Sequence, residues 1–190
     1  LFPLLSIKSN NGRLAIRIQD GTRIKPTQYV IEGSSKTLKY LKTCGPMDFE
    51  AQNAFSEDQL EIKISGSSDV KFPHNVKLRL GEFSVSGSGD LVFEDLDCKN
   101  LTSKVSGSGD ITLKGKADEA RYSVSGSGDI KAYDLSVNDL SCSVSGSGDA
   151  RVYAKDNMNL SVSGSGDIRY KGPANVNKSK SGSGSIQGAN

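Results

Sequence analysis

Tryptophan is absent from these 190 residues, histidine occurs once (His74), and cysteine occurs three times, at Cys44, Cys98 and Cys142. One histidine and no C-x-x-C pair leave nothing from which to build a structural zinc site. An odd number of cysteines argues against a closed disulfide framework. His74 stands beside Pro73 with no serine or cysteine signature near it, so a catalytic triad has no footing. No apolar run approaches the roughly 18 residues of a membrane helix. Charge leans neither way: 24 basic and 22 acidic residues give a net +2, which offers no general attraction for nucleic acid or anionic membrane. The opening Leu1-Phe2-Pro3-Leu4-Leu5 is short and lacks a basic stretch, so as it stands it does not read as a signal peptide.

Glycine, in contrast, is abundant at 21 residues, and it is periodic. The motif Ser-Gly-Ser-Gly-Asp begins at Ser86, Ser106, Ser125, Ser145 and Ser163. Near copies begin at Ser65 (Ser-Gly-Ser-Ser-Asp) and Ser181 (Ser-Gly-Ser-Gly-Ser), and a degenerate one surrounds Gly45 (Gly-Pro-Met-Asp-Phe). The first glycines, at 45, 66, 87, 107, 126, 146, 164 and 182, are separated by 21, 21, 20, 19, 20, 18 and 18 residues. A fixed period of this length is the signature of a solenoid.

Around each motif apolar and polar residues alternate. Ile64, Val85, Val105, Val124, Val144 and Val162 lie two residues before the first glycine. Val70, Leu91, Ile111, Ile130, Ala150 and Ile168 follow the aspartate, and Phe72, Phe93, Leu113, Ala132, Val152 and Tyr170 come two later. Alternation with period two means strands with one buried face. Equivalent strands about twenty residues apart must run parallel, because a hairpin would reverse them. Stacking them at about 4.8 Å pairs their backbones and lines their aliphatic side chains into internal ladders. Each large side chain so buried is worth roughly 1.5–3 kcal/mol.

The expected fold is therefore all-β: a parallel β-helix of about eight rungs, each of 18–21 residues. The varied lengths and the lack of a continuous hexad favour the right-handed form, as does the usual crossover preference. Within the rungs, Leu96 aligns with Leu135, Cys98 with Val137 and Leu101 with Leu140, and residues 113–117 (Leu-Lys-Gly-Lys-Ala) match 170–174 (Tyr-Lys-Gly-Pro-Ala). Cys142 shares an inward register with Tyr122 and Leu160, which reads as packing and not as reactivity. The N-terminal part repeats less well. Arg13 to Ile18 alternates as a strand, Gln28 to Ile31 is a second candidate, and residues 1–44 are expected to cap the repeats of 45–190 within one domain.

The repeated Val-Ser-Gly-Ser-Gly-Asp-Ile/Leu, ending in Lys-Ser-Lys-Ser-Gly-Ser-Gly-Ser-Ile (178–186), resembles the bacterial family called putative auto-transporter adhesin, head GIN domain. The likeness is close over about 60–190 and looser before. It implies a β-helix shaped like the pectin lyases but without a catalytic set. It further implies export in Gram-negative bacteria, often as a lipoprotein, to the cell surface, the outer membrane or the periplasm. The family's suggested role is adhesion, so a surface glycan or a protein is the expected partner.

Two features are candidate sites. The column Asp69, Asp90, Asp110, Asp129, Asp149 and Asp167 would bring carboxylates within about 5 Å of one another, a repulsion of about 1 kcal/mol per pair in water. Calcium could offset it. So could Lys71, Lys131, Arg151 and Arg169, two residues after the aspartates, or turn amides bonded to the carboxylates. The architectural reading is preferred, with no cofactor required. The second feature is Tyr133 and Tyr153, seven residues after their first glycines, with Lys131, Arg151 and Arg169 nearby: a platform on which sugar rings could rest. A non-enzymatic binding domain is the expected function. A polysaccharide-active enzyme would need irregular carboxylates converging in a groove, and a purely structural, oligomer-forming module would show a flat apolar face.

Overall fold

A computed structural model describes residues 5–10, 13–18 and 30–189. The chain divides into two units, 1–36 and 37–190. In the first, β1 (Leu5–Asn10) and β2 (Arg13–Ile18) form an antiparallel hairpin with Ile7 opposite Ile16. The alternating segment from Arg13 is thus a strand. Of the other expected strand, Gln28 and Tyr29 lie outside the described residues, and Val30 and Ile31 belong to no strand.

The second unit is a parallel β-solenoid, and among the described residues there is no helix. Its strands are β3 (Tyr40–Thr43), β4 (Phe49–Glu50), β5 (Phe55–Ile64), β6 (Val70–Phe72), β7 (Val76–Val85), β8 (Leu91–Val105), β9 (Ile111–Val124), β10 (Ile130–Val144), β11 (Ala150–Val162), β12 (Ile168–Lys171), β13 (Asn175–Lys180) and β14 (Ile186–Gly188). Each pairs in parallel with its equivalent one turn away; Val85, Val105, Val124, Val144 and Val162, for example, are successive partners. The eight glycine corners are thus joined by about seven turns. The stack already includes chain ahead of Gly45, since Tyr40–Thr43 pairs with Glu61, Ile62, Lys63 and Ile64.

The alignments made from sequence hold as ladders. Leu96 and Leu135 both pair with Gly115, Cys98 and Val137 with Ala117, and Leu101 and Leu140 with Ala120. Gly115 (φ 120°) and Gly172 (φ 107°) occupy the same turn in the two matching segments. Both adopt the left-handed backbone that glycine alone enters without strain.

The interior is apolar and filled. Aromatic rings dominate the N-terminal turns: Phe72 stacks on Phe93 at 4.4 Å, and Phe83 on Phe93 at 4.7 Å. Gly81 makes room for them, since a Cβ there would lie 3.1 Å from the Phe83 ring and 3.2 Å from Leu101. Smaller residues, among them Ala132, Ala150 and Ala154, fill the later turns, where the repeat shortens from 21 residues to 18.

One inward column, Phe83, Ser103, Tyr122, Cys142 and Leu160, contains polar atoms with no partner. Tyr122 is 3% exposed, and its hydroxyl makes no hydrogen bond. A buried hydroxyl left unpaired costs about 1–3 kcal/mol. Tyr122→Phe is therefore expected to raise stability by about 1 kcal/mol in chemical denaturation. A lowered stability would show that the hydroxyl is held by a partner.

Candidate functional site

The corners set the geometry of everything outside them. In an inner corner such as Ser127-Gly128, both amide N–H groups donate to the Gly107 carbonyl of the turn beneath, at 2.9 and 3.1 Å. From Gly87 onward, the two glycines of each corner rest directly on the corner below. A Cβ on Gly128 would overlap the carbonyl oxygen of Gly109 and lie 2.9 Å from its carbon.

The aspartate that closes each motif continues the ladder with its side chain. The Asp110 N–H donates to Asp90 Oδ1 at 2.8 Å, Asp129 N–H to Asp110 Oδ1 at 2.7 Å, Asp149 N–H to Asp129 Oδ1 at 2.8 Å and Asp167 N–H to Asp149 Oδ1 at 2.8 Å. The column starts lower, with Asp69 N–H on Asp48 Oδ1 and Asp90 N–H on Asp69 Oδ1, both at 3.0 Å. Each aspartate carbonyl accepts the N–H of the residue after the previous aspartate, as Asp129 O does from Ile111 at 2.9 Å. A carboxylate oxygen thus replaces the carbonyl that the bend carries out of line. The column ends at Ser185, whose N–H and hydroxyl both donate to Asp167 Oδ1, at 2.7 and 2.9 Å. Those two bonds, the hydroxyl's first, hold the Asp167 carboxyl below its ordinary pKa.

The second carboxylate oxygens face basic side chains. Lys131 Nζ lies 2.5 Å from Asp110 Oδ2, Arg151 Nη1 3.5 Å from Asp129 Oδ2 and Arg169 Nη2 3.8 Å from Asp167 Oδ2. The hydrogen bond to Asp110 raises the Lys131 pKa. Carboxylates in single file, each bound to an amide and several to a cation, do not converge on one point. Among the described residues no three His, Cys, Asp or Glu side chains are grouped to hold a metal ion.

Lys131, Arg151 and Arg169 are successive partners on the outer surface of β10, β11 and β12. Tyr133 and Tyr153 each follow two residues along the same leg, and both are half-buried. Sequence reasoning missed Lys171, the strand partner of Tyr153, whose ammonium lies 4.9 Å from the centroid of the Tyr133 ring. The signal was available: Lys171 stands seven residues after Gly164, in the column of both tyrosines.

A second surface also escaped the sequence reading. Counting five residues back from the first glycine gives Arg121, Ser141, Asn159 and Asn177, and three back gives Ser123, Ser143, Ser161 and Ser179. These are strand partners, and the Asn177 amide donates to Asn159 Oδ1 at 3.2 Å. Here β10, β11 and β13 form a shallow concavity of about 240 Å³ lined by serines, Asn159, Asn177 and Lys178, with Cys142 and Leu160 at its floor. The Lys178 ammonium lies 4.6 Å from the centroid of the Tyr170 ring, at the end of the core.

Of the cysteines, Cys142 borders the concavity from beneath, beside Leu160. Cys98 and Cys142 are buried, which pushes their thiols up to about 11 and about 12, away from the reactive thiolate; Cys44 is exposed.

The family model for the putative auto-transporter adhesin, head GIN domain, matches residues 1–174. The chain belongs to this family. Among solved structures it is similar to a putative adhesin from Parabacteroides merdae, at 30% identity and a TM-score of 0.93. It is also similar to a putative lipid binding protein and a putative adhesin from Parabacteroides distasonis, at 33% and 36% identity with TM-scores of 0.95 and 0.90. In each case the match covers 100% of this chain and 80% of the other. A putative adhesin from Bacteroides fragilis, 22% identical with a TM-score of 0.63, shares the fold. No protein with a curated description matches. No helix among the described residues is long and apolar enough to cross a membrane.

Proposed function

We propose that this member of the adhesin family works outside the cytoplasm as a non-enzymatic binding domain. On this reading it holds an acidic surface glycan on the outer leg of β10, β11 and β12. The observation that carries the reading is Lys171 over the Tyr133 ring, beside Tyr153 and the Lys131, Arg151 and Arg169 column. Aromatic faces supply contact area to sugar rings. The Arg151 and Arg169 pairs are loose, at 3.5 and 3.8 Å, so those side chains can turn toward a ligand carboxylate with little loss. The name of one relative points to lipid, but the interior of this solenoid is packed with side chains, so an acyl chain would have to lie on the surface.

The test is an array of acidic and neutral glycans, probed with and without a calcium chelator. The expected result is saturable binding to acidic glycans that chelator leaves intact and that falls at least about tenfold, or 1.4 kcal/mol, in Tyr133→Ala/Tyr153→Ala. Loss with chelator alone would give the site to calcium on the aspartate column. Binding of neutral glycans that survives the tyrosine changes and is lost in Asn159→Ala/Asn177→Ala would move it to the serine and asparagine surface. No binding at all would remove the glycan reading in favour of a protein partner.

A further inference from the structure

The cations of the outer leg stand in file along the solenoid axis and do not converge on one point. Lys131, Arg151 and Arg169 are successive strand partners, and stacked rungs lie about 4.8 Å apart. The same column holds Lys71, Val92 and Thr112 on β6, β8 and β9, and Gln187 on β14. Within it, like charges are neighbours only on β10, β11 and β12. Like charges directly opposite one another on adjacent strands destabilise a sheet. The aspartates relieve this unevenly. Lys131 is closely paired with Asp110, while Arg151 and Arg169 reach Asp129 and Asp167 only at 3.5 and 3.8 Å. An anion on each of the three rungs would remove the remaining repulsion.

The three cations also have donors to give. A guanidinium carries five N–H groups and an ammonium three. Arg151 offers one nitrogen, Nη1, to its aspartate, and Lys131 makes one hydrogen bond, to Asp110. Beside this column Tyr133, Tyr153 and Lys171 stand two residues further along the same three strands. Lys171 belongs to β12, yet its ammonium lies over the Tyr133 ring on β10. A fourth positive charge is thereby drawn back along the axis, parallel to the first three.

A single terminal acid is held best where several cations meet at one place. A file of cations at rung spacing suits a chain of acids with the same period. An extended 1,4-linked glycan advances by roughly one rung spacing per sugar. With an acid on every sugar its charges keep step with the column, and the tyrosine faces beside it give contact area to the rings. With an acid on every second sugar, alternate cations are missed. We infer, on the acidic-glycan reading of this leg, that its ligand is a linear polyanion lying along the solenoid axis with an acid on every sugar. Consecutive carboxylates then meet Lys131, Arg151 and Arg169 in turn.

The test is calorimetric titration of the native chain at fixed salt with three probes. These are mannuronate oligomers of increasing length, which carry an acid on every sugar, hyaluronan fragments, which carry one on every second sugar, and sialyllactose, which carries a single terminal acid. Affinity for the mannuronates is expected to rise at least about tenfold from monomer to trimer and to level off beyond it. Hyaluronan fragments and sialyllactose are expected to bind at least about tenfold more weakly than the trimer. Thr112→Lys adds a cation to the column one rung earlier, and is expected to move the levelling from trimer to tetramer, with circular dichroism to confirm folding. A general attraction for anions would not shift that length. Sialyllactose or a monomer that binds as tightly as the trimer would overturn the inference and leave the acidic-glycan reading standing. So would hyaluronan that matches the mannuronates, or a folded Thr112→Lys chain whose affinity still levels at the trimer. Should Thr112→Lys fail to fold, the length series on the native chain decides. Absence of binding to every acidic glycan would remove both the inference and the reading beneath it.

Discussion

Gly128→Ala is expected to destabilise the solenoid by about 3 kcal/mol or more, at or beyond the upper end of the usual range for overpacking. The added methyl would overlap the carbonyl oxygen of Gly109 and approach the carbons of Gly109 and Ser108 to 2.9 Å. These are backbone atoms of the turn beneath, so no side chain can rotate out of the way. To make room, the corner would have to lift, stretching the Ser127 and Gly128 bonds to Gly107 O. The demand here is for space: unlike Gly115 and Gly172, Gly128 is not among the positive-φ glycines. Gly33→Ala is the control, with nothing within 4 Å of its Cβ, and should change stability by less than about 0.5 kcal/mol. Denaturant unfolding of the two variants makes the comparison. Equal, small effects would mean that the corners are looser than described.

Asp129→Ala is expected to cost about 1–3 kcal/mol, because it leaves the Asp149 N–H without its acceptor in a part-buried corner. The pair with Arg151 adds little, since it is long and half-exposed. Asp129→Asn retains an oxygen in the Oδ1 position and is expected to lose no more than about 1 kcal/mol, the worth of the exposed pair. The order of the two variants carries the argument. If asparagine is as damaging as alanine, the charge and not the hydrogen bond is what the column needs, and a bound cation regains its case.

The repeat, the strand polarity and the inward residues were legible in the sequence because one backbone geometry recurs every 18–21 residues. Each copy then reports on the others, as the columns through Val105 and Ile111 do. Arg13 to Ile18, outside the repeats, was readable by alternation alone. The acceptor of each aspartate was only half legible. Sequence placed Asp129 beside turn amides, but that its partner is the aspartate of the next turn depends on how the corner turns its carbonyls. The missed features lie on outward columns. Lys171, Asn159 and Asn177 stand in line with residues of different type, so a search for identity between rungs passes over them.

Amide hydrogen exchange at Asp110, Asp129, Asp149 and Asp167 tests most directly whether the repeated motif is a docking device and not a ligand site. These four N–H groups lie outside every strand, in a surface corner, yet each donates to the carboxylate of the turn before. The structure predicts protection comparable to that of the neighbouring strands, unchanged by a calcium chelator. Exchange at the rate of an open loop, or protection that disappears with chelator, would contradict it.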